Sequence, residues 1–269
     1  MLEKRSCGRI APKNRFFLLT KLIAGAQDMI DDWRMIDYSS EDPAMNSAID
    51  EAILRSVLEN HSPNTLRLWQ NPPAVIIGHF QDTKSVASIA DCEKLGIGIF
   101  RRVSGGGTVY HDYGNVNYSI IVRKPSLAVG VENVERSYSF FCSGVLEGLG
   151  MLRVQARNNS GNIVVEGRKI SGSAQHRLYD AVLHHGTCMV HVDFNMLGRV
   201  LKIPNPHAIL VNLSEILRGI TIEETKNALR KGYEKTCGVN LKKGSLTPHE
   251  IRTATSLHQT KYNNADWNG

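Results

Sequence analysis

Three consecutive glycines lie between two predicted strands, so the chain must form a tight loop there. Gly105–Gly107 follow the pair Arg101 and Arg102, and the stretch runs on to Asp112. Glycine reaches positive φ and lets backbone N–H groups approach a ligand closely. Successive N–H groups of this kind form a concave anion site, and a neighbouring arginine can bind phosphate or carboxylate. The loop indicates either a phosphate site or a glycine-rich hairpin with solvated arginines, and its spacing fits neither a Walker loop nor a Rossmann fingerprint.

Helix and strand patterns alternate on both sides of this loop. A helix is predicted from Pro43 to Val57, because Ser40-Glu41-Asp42 precedes a proline at the first helical position. Further helices are predicted at Thr83–Leu95, at Glu132–Leu149, and after Thr-x-x-Glu capping boxes at Thr221 and Thr247. Strands are predicted at Thr65–Trp69, Ala74–Ile77, Ile97–Val103, Val116–Val122, Arg153–Ala156, Ile163–Val165, Lys169–Ala174 and Leu183–Val192. No linker divides residues 29–269, so we predict a single α+β domain there.

The net charge of +6 invites a nucleic-acid or membrane-surface interpretation. Four of those charges fall in residues 1–28, which we expect to be a basic extension peripheral to the fold. The sequence has no run of about 18 apolar residues, so we expect no membrane span and no membrane partner. Residues 1–28 also lack the length and pattern of a helix-turn-helix, so we expect no nucleic-acid partner.

The cysteines are few and scattered. The five cysteines are Cys7, Cys92, Cys142, Cys188 and Cys237. They form no CxxC pair and no Cys/His cluster with zinc spacing. This usage is typical of a reduced, cytoplasmic protein without a structural metal.

A second informative stretch surrounds Lys169. Ile163–Val165 and Gly167 predict a hairpin that continues into the strand of Lys169, whose neighbours Ser171–Ala174 are small. Small neighbours leave room for a ligand, although an exposed lysine on an edge strand is the ordinary alternative. In the third stretch, His184 and His185 must point to opposite faces of a strand, so they form no metal pair and we expect at least one to be packed.

Together these stretches resemble the lipoate–protein ligase A family, within the superfamily shared with biotin ligases and lipoyl/octanoyl transferases. The resemblance covers roughly residues 33–268. It is carried by Asn46–Glu51, Val75–Gln81, Arg101–Ser119, Gly167–Gln175, His184–Thr187, Lys261-Tyr262 and Asp266–Asn268.

The resemblance implies a mixed, largely antiparallel sheet flanked by helices and a two-step, ATP-dependent reaction. Lipoate would attack the α-phosphate of ATP to give lipoyl-AMP, and a lysine of an acceptor lipoyl domain would then take the lipoyl group. Mg²⁺ would arrive with the nucleotide and would need no protein ligand. The implied acceptors are the E2 subunits of 2-oxoacid dehydrogenases and the H protein of glycine cleavage.

The resemblance also implies roles for particular residues. Lys169 would be catalytic and would contact both the α-phosphate and the lipoyl carbonyl, with Arg101 and Arg102 converging on the same phosphate. The nucleotide would be bound by Arg102, Gly105, Gly106, Gly107, Thr108, Val109, Tyr110 and Lys169. The lipoyl group would be bound by Trp69, Ile77, Gly107, His111, Lys169, Gly172 and His185.

Several departures from the family pattern keep other functions open. One branch of octanoyl transferases has a cysteine shortly before the Gly-Arg-Lys string, whereas Ala156–Gly161 contain none. Asn162 stands where many ligases have Asp, and the loop at 201–213 is short. The chain stops at Gly269, where many ligases continue into an accessory domain, so we expect a separate accessory subunit. The alternatives are a transferase that uses a carrier-bound acyl donor and a non-catalytic lipoate binder.

Overall fold

The computed structural model describes residues 31–127 and 131–269, and the expected extension at residues 1–28 lies outside this part of the chain. Its strands are β1 (Asp31–Asp37), β2 (Thr65–Trp69), β3 (Ala74–Ile77), β4 (Gly98–Arg101), β5 (Val109–His111), β6 (Asn115–Arg123), β7 (Arg157–Asn159), β8 (Asn162–Val165), β9 (Arg168–Leu178), β10 (Ala181–Met189) and β11 (Val239–Lys243). Its helices are α1 (Pro43–Leu58), α2 (Thr83–Val86), α3 (Ile89–Leu95), α4 (Val134–Met151), α5 (Phe194–Val200), α6 (Leu213–Ile216), α7 (Ile222–Cys237), α8 (Pro248–Leu257) and α9 (Ala265–Asn268).

The strands form two sheets. The larger has eight strands in the order β11-β1-β2-β6-β10-β9-β8-β7. β1 and β2 are parallel, and every pairing from β2 through β7 is antiparallel. The smaller sheet has the order β4-β3-β5, with β3 parallel to β4 and antiparallel to β5. This architecture confirms the predicted mixed, largely antiparallel α+β fold.

Strand β6 shows how the large sheet separates its two faces. Its alternate residues Val116, Tyr118, Ile120 and Val122 pack in one hydrophobic cluster with α4 and α7. On the other face, Ile121 packs with α1 and α8, while Asn117 and Ser119 are buried polar residues. Successive side chains of a strand point to opposite faces, so this alternation gives one apolar face and one partly polar face. The polar part is the wall against which the site is built.

Most element boundaries agree with the sequence patterns, and the exceptions have local causes. The predicted strand at Arg153–Ala156 is wrong, because Arg153 adopts a left-handed conformation (φ 60°) after α4 and the strand begins at Arg157. The predicted helix at Thr83–Leu95 is two helices, since Ala87 is extended. Both predicted capping boxes, at Thr221 and Thr247, are confirmed. Of the helices described, none is long and apolar enough to span a membrane.

A buried ion pair joins β1 to the start of α8. Arg34 donates through Nη1 to one carboxylate oxygen of Glu250 at 2.8 Å and through Nη2 to the other at 2.5 Å. Ser62 donates a third hydrogen bond to this carboxylate at 2.8 Å. Burial opposes ionisation of Glu250, but the hydrogen bonds from Arg34 and Thr247 and the charge of Arg34 hold its pKa below the usual value. The ionised pair therefore links residues far apart in sequence.

We predict that Glu250→Gln lowers the free energy of unfolding by about 3–5 kcal/mol, because the amide leaves the buried Arg34 guanidinium without a counter-charge. Urea unfolding at neutral pH measures the loss, with the exposed Glu166→Gln as control. Because the pKa of Glu250 is depressed on folding, its contribution exists above the ordinary glutamate pKa of about 4.3 and is lost as pH falls. The acid dependence of stability should therefore be shallower in Glu250→Gln, and equal stabilities at neutral pH would contradict the prediction.

Candidate active site

A cavity of about 250 Å³ opens between the glycine loop, α1 and the strands β2, β9 and β10. For comparison, an engineered cavity of about 150 Å³ binds benzene, so this one has room for a larger ligand. The residues that line it are Ser47, Asp50, Trp69, Ile76, Arg102, Val103, Gly107, Thr108, Val109, His111, Ser160, Gly161, Asn162, Lys169, Gly172, Ser173, Ala174, Leu183, His185, Gly186, Thr187 and Tyr262.

Arg102 shapes the glycine loop as well as facing the cavity. Its Nη2 donates to the carbonyl oxygens of Gly105 at 2.6 Å and Gly107 at 2.8 Å, its Nε donates to Ser104 Oγ, and its Nη1 donates to Ile76 O. A guanidinium has five N–H donors, so these contacts leave one for a ligand. Burial lowers the pKa of Arg102 to about 10, and it remains a cation at neutral pH.

Lys169 reaches the cavity by passing over Gly172. A Cβ added at Gly172 would lie 2.5 Å from Lys169 Nζ, so only glycine leaves the side chain this path. Burial and then the charge of Arg102 lower the pKa of Lys169. Among the residues that the structure describes, no carboxylate lies within ion-pair distance of Lys169 or Arg102. The cavity wall therefore carries two uncompensated cations, which favours an anionic ligand.

The one carboxylate in the lining belongs to Asp50, and it is already paired. Arg67 donates to Asp50 Oδ1 at 2.7 Å and Ser119 donates to Oδ2 at 2.6 Å. Burial raises the pKa of Asp50. The charge of Arg67 and the hydrogen bonds from His185 and Ser119 outweigh burial, so the pKa lies below its usual value. Asp50 is therefore an anion whose charge is balanced inside the protein.

A chain of polar contacts connects Asp50 to the glycine loop. His185 Nδ1 lies 3.5 Å from Asp50 Oδ2, and its Nε2 lies 2.6 Å from Ser104 Oγ. The order Asp50, His185, Ser104 has the form of a nucleophilic triad. However, Ser104 is only 1% exposed, and its oxygen accepts the Arg102 Nε–H at 2.9 Å. We therefore assign Ser104 to positioning Arg102, and His185 to the cavity wall beside it.

A second chain of contacts fixes the tautomer of His111. Asn46 Oδ1 accepts from Arg67 Nη2 at 2.5 Å and from the backbone N–H of Ser40, groups that can only donate. Asn46 Nδ2 must then donate to Asn71 Oδ1 at 2.7 Å, which leaves Asn71 Nδ2 to donate to His111 Nδ1 at 3.1 Å.

The consequence is that His111 offers a hydrogen-bond donor to the cavity. Burial, with the charges of Arg102 and His185, lowers the pKa of His111 to about 3, so the ring is neutral. Since Nδ1 accepts from Asn71, the ring proton is on Nε2. Nε2 has no protein partner within the described ranges, and the ring lines the cavity. A ligand beside His111 should therefore present an acceptor atom.

The structure separates the predicted site residues into two groups. Those that line the cavity are Trp69, Arg102, Gly107, Thr108, Val109, His111, Lys169, Gly172 and His185. Those outside the lining are Ile77, Gly105, Gly106 and Tyr110. Ile77 and Tyr110 are instead buried in a hydrophobic cluster with α3 and α5, and Ile76 on the opposite face of β3 contacts the cavity.

Arg101 does not converge on the cavity with Arg102. Its guanidinium donates to the carbonyl oxygens of Gly78, His79, Gln81 and Trp267 instead. Arg101 is the last residue of β4 and Arg102 follows it directly, so their side chains point in opposite directions. Arg101 ties the chain after β3 to the C-terminal residues.

Sequence reasoning missed Asp50, Arg67 and Ser119 as parts of the site. A signal existed for Asp50, which is a carboxylate between Ile49 and Ala52 in an apolar helix. Arg67 stands between Leu66 and Leu68 in β2, whereas Ser119 is less distinctive because β6 also contains Asn115 and Asn117. His184 is buried and stacks on Phe141, with a pKa lowered by burial to about 3, so it is the packed member of the histidine pair.

No cysteine lines the cavity in the described part of the chain. Cys142 and Cys188 are both buried, and burial raises the pKa of each thiol. A thiol with a raised pKa is a poor nucleophile at neutral pH. Neither cysteine therefore offers the cavity a reactive thiolate.

The lining offers little to a resident divalent metal. Mg²⁺ prefers carboxylate oxygens, and Asp50 is occupied by Arg67 and Ser119. Asn162 contributes only an amide, so the residues of the cavity do not form a magnesium site of their own.

Comparison with known proteins gives a consistent result. A model of the lipoyl protein ligase A/B catalytic domain matches residues 42–234. The octanoyltransferase LipM of Anoxybacillus flavithermus is 33% identical over 274 residues, which covers 88% of this chain and 97% of that protein. A bi-partite lipoate protein ligase from Thermoplasma acidophilum is similar with a TM-score of 0.81 at 28% identity, covering 88% of this chain and 96% of that one. A lipoate-protein ligase A bound with ATP is similar with a TM-score of 0.81 at 29% identity, covering 88% and 98%.

We predict that ¹⁵N NMR will find His111 neutral with its proton on Nε2. Asn71→Asp replaces the donor beside Nδ1 with an acceptor, so the ring proton should move to Nδ1. The exposed Asn227→Asp serves as control and should leave the His111 signals unchanged. A wild-type ring protonated on Nδ1 would contradict the hydrogen-bond order described above.

Proposed function

The chain belongs to the family of lipoyl protein ligase A/B catalytic domains, and on that basis we propose that it is an ATP-dependent lipoate–protein ligase. It would join lipoate to AMP and then transfer the lipoyl group to a lysine of an acceptor lipoyl domain. The observation that carries the proposal is the pair of uncompensated cations, Arg102 and Lys169, in a cavity whose described lining has no thiol. Such a wall suits a phosphoryl reaction in which the substrate supplies the nucleophile.

In the first step, a carboxylate oxygen of lipoate would form a bond to the α-phosphorus of ATP as the bond to pyrophosphate breaks. Negative charge grows on the phosphorus oxygens and on the leaving group. The Lys169 ammonium and the Arg102 guanidinium, with its one free N–H, are cations held in fixed positions. They would stabilise this negative charge without having to move during the reaction. We propose that the backbone of Gly107–Val109 contributes N–H donors to the same phosphates. Any Mg²⁺ would come bound to the nucleotide and would supply further positive charge to its phosphates, with no residue of the described lining needed to hold it.

In the second step, the acceptor ε-amine would attack the lipoyl carbonyl and AMP would leave. Lys169 would polarise the carbonyl while remaining an ammonium, and the amine proton would pass to solvent. The acyl tail would lie against Trp69, Ile76, Val109 and Leu183, which are apolar members of the lining. His111 Nε2–H would donate to an acceptor atom of the lipoyl group.

We propose lipoyl domains of E2 subunits and the glycine cleavage H protein as acceptors, and a separate accessory subunit for adenylation. The similarity to a bi-partite lipoate protein ligase described with its E2 lipoyl domain supports the E2 acceptor and the accessory subunit. Bound ATP in another similar ligase supports the nucleotide substrate.

A second candidate is an acyl transferase that uses a carrier-bound octanoyl or lipoyl donor. The 33% identity with an octanoyltransferase favours it. A thioester intermediate would require a thiol in the cavity, and the described lining has none. We therefore rank the ligase first.

Pyrophosphate release from ATP and free lipoate decides between the two candidates. The full chain is incubated with an acceptor domain, with and without the accessory subunit. A ligase releases pyrophosphate and lipoylates the acceptor. Acyl transfer from a carrier-bound donor, with no pyrophosphate under any condition, would reject the ligase in favour of the transferase. Full adenylation by the chain alone would reject the need for an accessory subunit.

We predict that Lys169→Met lowers the rate of adenylation by about 10²–10³-fold, as expected when one fixed transition-state donor is removed. Arg168→Met is a matched control, because it removes a cation from the neighbouring position on β9 whose side chain pairs with Glu215 instead. Transfer from preformed lipoyl-AMP should also slow in Lys169→Met. Normal adenylation and transfer by Lys169→Met would contradict the catalytic role of Lys169. If the wild-type protein binds lipoate but carries out neither step, it is a non-catalytic lipoate binder.

We predict that Gly172→Ala slows adenylation by about 10²-fold while changing stability little. The added Cβ would fall 2.5 Å from Lys169 Nζ, so the flexible side chain must move and its ammonium is misplaced. Gly150→Ala is the control, since a Cβ there meets nothing within 4 Å. Unchanged kinetics in Gly172→Ala would show that the path of Lys169 over Gly172 is not needed.

A further inference from the structure

A cluster of metal-binding side chains lies outside the cavity, where the end of α1 meets the start of α8. Glu59, His61 and His249 each offer one ligand atom, and these atoms all lie within 4.8 Å of one another. Glu59 Oε2 is 3.3 Å from His61 Nδ1 and 3.8 Å from His249 Nε2. We propose that these three residues form a binding site for a zinc-class divalent cation.

The distances are close to those that a bound ion requires. Zinc binds imidazole nitrogen and carboxylate oxygen at about 2.0–2.2 Å in tetrahedral geometry, which sets neighbouring ligands about 3.3–3.6 Å apart. The two distances from Glu59 are in or near this range. The two histidine rings stand edge to face with centroids 5.3 Å apart. Because both side chains are exposed, a rotation can bring the ligand nitrogens of His61 and His249 to the separation that a bound ion requires.

The backbone holds the three residues in place although their side chains are free to adjust. Glu59 caps α1 through its N–H to Arg55 O, and His61 N–H donates to Ser56 O. Asn60 between them is left-handed, with φ 61°, a conformation that asparagine tolerates better than most residues. The third ligand, His249, is fixed in the first turn of α8 next to Pro248.

The donor set indicates the class of ion. Two imidazoles and one carboxylate suit zinc and its neighbours in the first transition series, whereas Mg²⁺ and Ca²⁺ prefer sites made of oxygen. Three protein ligands leave a fourth position for water or for an added group. Among the described residues this is the one group of three such side chains with suitable spacing.

A bound ion would bridge two segments that are distant in the sequence. Glu59 and His61 follow α1, which carries Asp50, and α8 leads to Tyr262, which also lines the cavity. The ion would therefore fasten the C-terminal end of α1 to the start of α8. It would stabilise the folded chain by mass action, without taking part in the reaction proposed above.

Titration of the metal-free, tag-free full chain with ZnCl₂ by calorimetry tests the site. We expect one equivalent to bind, and Glu59→Gln, His61→Ala and His249→Ala each to weaken binding by at least about tenfold, because each removes one of three ligands. His191→Ala removes an exposed histidine outside the cluster and should bind zinc as the wild type does. Absence of stoichiometric binding, or equal affinity in all four variants, would overturn the proposal.

Two further readouts guard against misfolding of a variant. The three side chains are 45–60% exposed, so circular dichroism of each metal-free variant should match the wild type. Zinc should raise the Tm of the wild type and of His191→Ala but not that of His249→Ala. Co²⁺ should give visible absorption bands that zinc abolishes, and their persistence in His249→Ala would place the metal elsewhere.

Discussion

The buried ion pair between Arg67 and Asp50 is the contact on which the site depends. Arg67 is fully buried, and its guanidinium also donates to the carbonyl oxygens of Tyr38 and Asn46. Taking a guanidinium and a carboxylate out of water costs several kcal/mol per ion, so the pair persists because nearly every donor and lone pair is used. Burial lowers the pKa of Arg67 and the charge of Asp50 opposes that shift, so both groups stay ionised together.

Two polar chains leave this pair and reach the cavity from different sides. One passes through Asp50, His185 and Ser104 to Arg102, and therefore to the carbonyl groups of the glycine loop. The other passes through Asn46 and Asn71 to His111 and fixes its tautomer. Arg67 also lies over the ring of Trp69, at 4.7 Å from its centroid, and orients an apolar wall of the cavity. A single buried guanidinium thus orients a cation, a neutral donor and an aromatic surface.

The sequence predicted the elements better than it predicted which face of a strand each residue occupies. Arg102 and Lys169 were singled out because each cation stands beside glycines or small residues, and both line the cavity. The choice between Ile76 and Ile77 was not recognisable, because all of β3 is apolar and buried, so no polar alternation marks its faces. For the same reason, the sequence did not show which of Arg101 and Arg102 faces the cavity. The Asp50 network could not be read either, since its contacts join residues between 17 and 135 positions apart, a separation that local patterns do not encode.

The balance of charge explains how such a site could select its ligand. Asp50 is neutralised by Arg67, so Arg102 and Lys169 remain as cations that have lost part of their hydration and have no counter-ion among residues 31–127 and 131–269. Burial in that environment lowers the pKa of both groups. An anion bound between them would supply the missing counter-charge and raise both pKa values again, so part of the cost of burying the cations would return as binding free energy. A neutral ligand of the same shape would recover none of it. The preference for an anion therefore follows from the electrostatics of the wall, and the apolar residues of the lining contribute separately to ligand binding.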